Sequence, residues 1–174
     1  MEYKGLVLIV AISDNNMIGF NNDIPWPKIP KDRRRFRDLT SDHPVIMGRK
    51  TYQSLPFQTK NPNLPKTSRA LPNRSNIVVT HDRNFNPTGV MVRHSIEDAL
   101  KLAEQINTIY YVMGGGELYR QTLPYANILE LTRVHQIVPG DVKFPDVYWD
   151  DWKRVYKEEH EGFTFETWRK KIRE

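Results

Sequence analysis

An acidic residue near the start of a predicted helix is the first side chain whose type and position suit chemistry. Asp32 precedes Phe36 by four residues and Leu39 by seven. In a helix this spacing places the three side chains along one face, so Asp32 shares any cleft that Phe36 lines. Trp26 adds an indole ring beside the helix entrance. The helix dipole alone also favours an acid in the first turn, so Asp32 is a candidate at this point.

Two glycine-bearing junctions between a strand and a helix are the second feature. Gly114–Gly116 follows one apolar strand, and Gly48-Arg49-Lys50-Thr51 follows another. Glycines allow a ligand close to the backbone, and the next helix presents free N–H groups to a phosphate. Cations are unfavourable at a helix N-terminus, so a bound anion would explain Arg49 and Lys50. A glycine run is more often a plain turn, but two such junctions in one parallel sheet favour a nucleotide cofactor.

Composition narrows the class of protein. The chain has 174 residues, 39% of them hydrophobic and 27% charged, which is typical of one globular domain. It has no cysteine, which excludes disulfides, zinc–thiolate sites and thiol nucleophiles. No apolar window approaches the roughly 20 residues of a membrane span, and the first apolar run does not resemble a signal peptide. We therefore expect a cytoplasmic protein without a membrane partner. The net charge of +5 fits either a nucleic-acid surface or a cleft for an anionic small molecule.

The elements that must position these groups follow from apolar periodicity and turn residues. Strands are predicted at residues 6–12, 45–47, 76–80, 90–92, 109–113, 128–137, 152–160 and 163–172. Helices are predicted at residues 30–39, 48–55, 96–106 and 117–123. Residues 13–27 are predicted as a mobile loop and 56–69 as an exposed insertion within a single domain, 1–174. This order predicts an α/β fold with a mixed, largely parallel sheet and an antiparallel C-terminal edge.

Taken together, the motifs resemble those of the dihydrofolate reductase family. Their order and spacing match over residues 6–172, and the matching segments are Ile18-Gly19, Pro25-Trp26, Val45-Ile46-Met47-Gly48-Arg49 with Thr51, Gly114–Gly116 and Phe144-Pro145-Asp146. The resemblance implies a three-layer fold with a mostly parallel eight-stranded sheet and four flanking helices. It also implies reduction of 7,8-dihydrofolate to tetrahydrofolate with NADPH, a monomer, and no nucleic-acid partner.

The resemblance assigns roles in substrate binding and catalysis. Asp32 would hold the pterin ring and assist its protonation through water, Trp26 would pack beside it, and Thr132 would bond to the acid. Arg74 would pair with the glutamate carboxylate of the substrate. The other substrate-binding residues that it implies are Ile9 and Met113 at the pterin, Phe36, Leu55 and Leu71 around the benzoyl ring, and Arg69 nearby.

The resemblance also assigns residues to the cofactor-binding half of the site. The residues that it implies are Ala11, Ile18 and Gly19 at the nicotinamide, Gly114, Gly115, Gly116, Glu117 and Tyr119 at the pyrophosphate, and Gly48, Arg49, Lys50, Thr51, Thr80, His81 and His94 around the adenosine ribose and its 2′-phosphate. This number of cations favours NADPH over NADH, because a dianionic phosphate needs them. Residues 15–23 resemble the loop that closes over the nicotinamide.

The chain departs from the family pattern at three places. Residues 56–69 are longer than in compact bacterial members, and two residues instead of one separate Trp26 from Ile29. Arg33 occupies a position that is normally apolar, where it either reaches the glutamate tail of the substrate or extends into water.

Two alternative functions remain open from the sequence. One is the pyrimidine reductase of riboflavin synthesis, which shares the fold and NADPH; the helix acid, the Pro-Trp pair and Arg74 favour the folate enzyme instead. The other is a basic nucleic-acid-binding module that grips phosphates with residues 33–37. That reading needs aromatic residues interleaved with cations on one exposed face, and here the aromatics fall mostly at predicted core positions.

Overall fold

The computed structural model describes residues 2–172, which form ten strands and four α-helices. The strands are β1 (Leu6–Ser13), β2 (Met17–Gly19), β3 (Pro44–Gly48), β4 (Ser75–Val79), β5 (Met91–Arg93), β6 (Tyr110–Val112), β7 (Ile128–Val134), β8 (Val142–Lys143), β9 (Trp152–His160) and β10 (Phe163–Lys170). The helices are α1 (Pro30–Thr40), α2 (Arg49–Ser54), α3 (Ile96–Ile106) and α4 (Gly116–Thr122). Short 3₁₀ helices cover Leu123–Tyr125 and Trp149–Asp151.

Eight of the strands form one sheet, in the order β5-β4-β3-β6-β1-β7-β10-β9. Every pair from β5 to β7 is parallel, while β10 pairs antiparallel with both β7 and β9. The apolar run of β1 lies at the centre because a parallel strand is covered by helices on both faces. The edge strand β9 is exposed along most of its length and rich in charge, which discourages pairing with another chain. The predicted mostly parallel sheet with an antiparallel C-terminal edge is confirmed.

Two apolar clusters cover the two faces of this sheet. Alternate residues of β1 separate them, since Leu6 and Leu8 belong to one cluster and Val7 to the other. Helix α3 contributes Ala99 and Leu100 to the first cluster. Helices α1 and α2 lie on the second face, where Leu39 packs against the buried residues. The result is the three-layer α/β fold that was predicted, with α1 and the candidate acid on one face.

The structure differs from the predicted elements around residues 13–27. This segment contains β2, which pairs antiparallel with β8 from a distant part of the chain. Short strands of two and three residues have no detectable periodicity, so their pairing appears only in the folded protein. β7 also ends at Val134 instead of residue 137, and β10 at Lys170 instead of residue 172. Within residues 2–172, no helix has the length and apolar character needed to cross a bilayer.

Candidate active site

The acid Asp32 lies on the face of α1 that packs against the sheet. Thr132 of β7 donates a hydrogen bond from Oγ1 to Oδ1 of Asp32 over 2.5 Å. Burial raises the pKa of Asp32 above its ordinary value, although the Thr132 hydrogen bond and the charge of Arg35 act in the opposite direction. A carboxyl group whose pKa moves toward neutrality is suited both to binding ring N–H donors and to assisting a proton transfer.

Trp26 is buried close to the entrance of α1. It packs with Val134 and Val138, and the partly buried side chains of Ala11, Met17 and Ile29 complete the cluster. Ile29 is the N-cap residue of α1, and its carbonyl accepts a hydrogen bond from the Asp32 N–H over 3.0 Å. Ile29 therefore connects the two residues, because it belongs to the apolar cluster of Trp26 and is hydrogen-bonded to the backbone of Asp32. The longer spacing between Trp26 and Ile29 leaves this arrangement intact.

The parallel pairing of β1 with β6 ends at Leu8 and Val112, and Ile9 and Met113 are the residues that follow this last pair. Both side chains pack against the apolar cluster under α1. The Ile9 carbonyl accepts a hydrogen bond from the Tyr119 hydroxyl over 2.6 Å. The family resemblance assigns Tyr119 to the cofactor and Ile9 to the substrate, so this hydrogen bond joins the two predicted halves of the site. A crevice at the carboxyl ends of adjacent parallel strands is the usual ligand site of such sheets.

The apolar wall beyond this edge contains Leu55 and Leu71. Both are half-buried and pack against the same cluster as Ile9 and Met113. Phe36 of α1 lies beside Arg74, whose guanidinium carbon is 5.8 Å from the centre of the Phe36 ring.

Arg74 is a half-buried cation without a carboxylate partner among the described residues. It donates to Oγ1 of Thr40 over 3.0 Å and to the Pro72 carbonyl over 2.8 Å. Burial lowers the pKa of Arg74, and the charge of Arg37 lowers it further. A guanidinium held in this way is ready to receive a ligand carboxylate in a bidentate pair.

Arg69 and Arg33, which were also predicted near the substrate, have surroundings different from those of Arg74. Arg69 donates to the Leu55 carbonyl, and its guanidinium lies 4.2 Å from the centre of the Phe57 ring. Arg33 is exposed on α1. Residues 56–67 are largely exposed, as expected for most of the exposed insertion predicted at residues 56–69. A cavity of about 440 Å³ separates this segment from Arg74, and Lys60 is among its lining residues.

The two glycine junctions lie side by side. Gly48 donates a hydrogen bond from its N–H to the Gly114 carbonyl over 2.9 Å, and the Gly114–Gly115 peptide bond is cis. Gly48 and Gly115 are the N-cap residues of α2 and α4, and neither helix has a side-chain cap. A Cβ atom at Gly114 or Gly115 would lie within 3.6 Å of the Thr51 hydroxyl oxygen. The free N–H groups of both helices thus border an open backbone surface that fits a pyrophosphate.

The adenosine end of this surface carries an ion pair that the sequence did not reveal. Nη1 of Arg49 lies 2.8 Å from Oδ2 of Asp82, and both side chains are about 40% exposed. Nδ1 of His94 lies 2.7 Å from the Thr80 carbonyl, while Lys50 and His81 are exposed. Asp82 is separated from Arg49 by 33 residues, and no spacing rule relates them.

The residues predicted to contact the nicotinamide are linked to the glycines by the small sheet of β2 and β8. The Gly19 carbonyl accepts a hydrogen bond from the Asp141 N–H over 2.9 Å. A Cβ atom at Gly116 would lie 3.9 Å from Cδ1 of Ile18 and 2.6 Å from a methyl group of Val142. Only glycine therefore fits at position 116 without a shift of β8.

Glu117 points away from this surface. It is exposed and pairs with Arg120 over 2.5 Å and with Gln121 over 2.7 Å, and these hydrogen bonds lower its pKa to about 2. Its backbone N–H belongs to the free first turn of α4, so any contact of Glu117 with an anion would come from the backbone.

Comparisons with known proteins agree with this geometry. The sequence profile of the dihydrofolate reductase family matches residues 5–170. A dihydrofolate reductase from Staphylococcus haemolyticus is 40% identical over 154 residues, which are 88% of this chain and 84% of that protein. One from Haemophilus influenzae is 38% identical over 151 residues, which are 87% of this chain and 85% of that protein.

A solved structure shows the same arrangement. It is a dihydrofolate reductase from Enterococcus faecalis in complex with NADP(H) and RAB-propyl, with a TM-score of 0.81 and 26% identity, and the match covers 99% of this chain and 100% of that one. The family match extends over nearly all of the described residues, from the start of β1 to the end of β10. The chain belongs to the dihydrofolate reductase family.

Proposed function

We propose that this protein reduces 7,8-dihydrofolate to 5,6,7,8-tetrahydrofolate with NADPH, and that Asp32 is the acidic group of the reaction. Its family supports the reaction. The observation that supports the residue assignment is the partly buried carboxyl group of Asp32, bonded to Thr132 at the edge where the central strands end. The comparisons do not favour the pyrimidine reductase or the nucleic-acid module.

The substrate half follows from the positions of the polar groups. Asp32 accepts two N–H donors of the pterin ring, and the backbone edge at Ile9 and Met113 contacts the opposite side. Phe36, Leu55 and Leu71 surround the benzoyl ring. The carboxylate at the far end of the substrate pairs with Arg74, which has no protein carboxylate partner among the described residues.

The proton step depends on the pKa of Asp32. Burial holds that pKa above its ordinary value, which increases the fraction of protonated acid near neutral pH. The acid assists protonation of the ring nitrogen through water, while Trp26 excludes bulk solvent from the entrance of α1. The imine carbon next to this nitrogen gains a hydride, so one hydride and one proton complete the reduction.

The cofactor half relies mainly on backbone groups. When bound, NADPH supplies the hydride. The first turns of α2 and α4 would donate N–H groups to its pyrophosphate, and the lack of a side chain at the partly exposed Gly115 would allow this close approach. Arg49 faces the 2′-phosphate, with Thr80, His81, His94 and Lys50 around it. Ala11, Ile18 and Gly19 border the nicotinamide.

The direct test is the loss of NADPH absorbance when purified protein is mixed with dihydrofolate. We expect oxidation that requires both compounds and that methotrexate inhibits. Tight NADPH binding without oxidation of NADPH would overturn the proposed substrate and favour a pyrimidine or another pterin-like compound.

We further propose that the protein acts as a monomer in the cytoplasm and binds no nucleic acid. Most aromatic side chains of the described residues lie in the core or in the candidate site, which leaves few for stacking on bases. Light scattering after size exclusion is expected to give one mass near 20.5 kDa. Salt-sensitive binding of an oligonucleotide would contradict the proposal that the protein binds no nucleic acid.

A further inference from the structure

A second polar contact joins α1 to the sheet next to the contact of Asp32. Nη2 of Arg35 lies 2.7 Å from Oε2 of Glu130, and the two side chains are only 16% and 11% exposed. Thr167 of β10 donates to the same carboxylate oxygen over 2.6 Å and accepts from Arg35 over 3.4 Å. The guanidinium of Arg35 also lies 4.9 Å from the centre of the Phe165 ring. Both charges are thus held by several partners under the helix.

This ion pair repeats the geometry of the candidate acid. Arg35 follows Asp32 by three residues on α1, and Glu130 precedes Thr132 by two residues on β7. Residues three apart share a helix face, and residues two apart share a sheet face. Helix α1 is therefore attached to one strand by two adjacent contacts, Asp32 to Thr132 and Arg35 to Glu130.

Stability alone does not account for the buried pair. Burying two charges costs desolvation energy that their attraction often only offsets, and apolar side chains would serve equally well. The cation does act on the acid, since the charge of Arg35 lowers the pKa of Asp32 while burial raises it. Glu130 lies 2.7 Å from the same guanidinium and carries the opposite charge, so it weakens the field of Arg35 at Asp32 without cancelling it.

The other charged and titratable groups around Arg35 and Asp32 come from three elements. Tyr156 and Glu158 of β9 interact with Arg35, Tyr111 of β6 interacts with both members of the pair, and Tyr119 of α4 interacts with Asp32. Burial raises the pKa of Tyr111 to about 12, and burial also raises that of Tyr119, so both hydroxyls are neutral during the reaction. Glu158 is exposed and hydrogen-bonded to His160. Within residues 2–172, Arg35 and Glu130 are the charged pair with low exposure near the acid.

We propose that Arg35 and Glu130 are positioning residues for Asp32: the pair holds α1 at its place on β7 and sets the electric field at the acid. This inference rests on the proposed role of Asp32. It assigns two residues that touch neither substrate nor cofactor, and it makes a prediction that a merely structural pair would not satisfy. Removing one charge or the other must shift the titration of Asp32 in opposite directions.

The test compares Glu130→Gln with Arg35→Met. Glu130→Gln keeps the side-chain shape and leaves the cation of Arg35 uncompensated, so the apparent pKa of the hydride-transfer rate must fall. Arg35→Met leaves the anion of Glu130 uncompensated, so that pKa must rise. Each shift is expected to be about half a pH unit or more, since one charge is removed near the acid in a partly dry site. Arg35→Lys, which keeps the charge, must return the profile toward that of the wild type.

The same strands offer a matched control on their other face. Arg133 of β7 and Glu166 of β10 form an ion pair at 2.8 Å, with the Glu166 side chain only 6% exposed. Glu166→Gln removes a comparable buried charge that does not face Asp32. It is expected to change thermal stability without moving the pH profile. Equal shifts in Glu130→Gln and Glu166→Gln, or shifts of one sign in Glu130→Gln and Arg35→Met, would overturn the proposal.

A second readout separates this proposal from the proposed function. The carboxyl carbon of Asp32 can be titrated by NMR in ¹³C-labelled protein, with Asp32→Asn to assign its signal. The opposite shifts must appear in this titration even if the protein turns over no dihydrofolate. If a single-charge variant fails to fold, the double variant Arg35→Met/Glu130→Leu, which leaves no buried charge, is expected to fold and to give an Asp32 pKa above that of the wild type. An unchanged pKa in the folded double variant would contradict the inference.

Discussion

The two halves of the candidate site recognise their ligands by different means. In the substrate half, side chains dominate: Asp32 is partly buried against Thr132, and Arg74 is held by Thr40 and Pro72 with no carboxylate partner within residues 2–172. In the cofactor half, the backbone of two helix starts is free, and the cation Arg49 is shared with Asp82 in an exposed pair.

The difference has an energetic consequence. Charges in a partly dry pocket interact strongly, whereas exposed ion pairs contribute little and are screened by salt. A single side-chain substitution should therefore matter more in the substrate half than in the cofactor half. The predictions below test this ranking.

The largest effect is expected for Asp32→Asn. The variant keeps the size of the side chain and can still accept the hydrogen bond of Thr132, but it has no proton to exchange. We expect kcat at neutral pH to fall by about 10²- to 10⁴-fold, which is the usual contribution of a general acid. The loss should shrink at low pH, where the substrate arrives already protonated. Asp38→Asn on the same helix, at an exposed position, is the control, and unchanged activity of Asp32→Asn at pH 7 would remove Asp32 from the mechanism.

Arg74→Met should come next. The variant removes a bidentate, charge-assisted pair with the substrate carboxylate, which is worth about 2 kcal/mol and corresponds to roughly 30-fold in KM for dihydrofolate. The KM for NADPH should stay unchanged. Arg69→Met serves as the matched control, because its guanidinium is engaged by the Leu55 carbonyl and the Phe57 ring. Similar increases in KM for the two variants would argue against a special role of Arg74.

A smaller effect is expected for Arg49→Ala. Its guanidinium is partly exposed, so we expect the Kd of NADPH to rise by about tenfold. The Kd of NADH should change little, since it has no 2′-phosphate. Fluorescence titration of both cofactors measures the ratio. An equal loss of affinity for both would place Arg49 elsewhere in the site.

Asp82→Asn should produce a still smaller change, and of opposite sign. The acid holds Arg49 at 2.8 Å and competes with a bound phosphate for it. Removing its charge should tighten NADPH binding by about two- to threefold, with a smaller change for NADH. The gain should disappear at high salt, because the pair is exposed. Weaker NADPH binding in Asp82→Asn would show that the acid organises Arg49 instead of competing for it.

The smallest change is expected in the thermal stability of Asp32→Asn. Burial raises the pKa of Asp32 in the folded protein, so ionisation of this acid destabilises the fold once the pH exceeds the ordinary value of 3.8. The destabilisation grows as the pH rises from 3.8 through the folded pKa and is constant above it. Asp32→Asn should therefore melt at a higher temperature than the wild type at pH 7, and the difference should vanish below pH 3.8. A lower melting temperature at pH 7 would mean that the carboxylate stabilises the fold.

Much of the fold could be predicted because its signals are local. The unbroken apolar run of β1 and the Ser95-capped periodicity of α3 each follow from neighbouring residues, and both elements form as expected. The β2–β8 pair could not be predicted, because its five residues carry no period and their partners lie more than 120 positions apart. The ion pair of Arg49 and Asp82 could not be predicted either, because the two residues lie 33 positions apart.

The candidate site divides along the same line. The residue types at Asp32, at Arg74 and at the two glycine junctions were evident from the sequence, and so was the family. The engagement of Arg69 by its own loop was not, nor was the pairing of Arg35 with Glu130. Arg35 shares the helix face of Asp32, but the sequence did not single it out, and nothing in the sequence placed Glu130 opposite it.

What the sequence by itself determined is the set of chemical groups and the order of strands and helices that present them, because propensity, apolar period and glycine placement are properties of short segments. The tertiary structure alone decided which charges are neutralised and which are free. Burial and charge pairing depend on groups brought together from distant elements: Thr132 onto Asp32, Asp82 onto Arg49, and no carboxylate of the described residues onto Arg74. These pairings set the pKa of the acid and the charge left for a ligand.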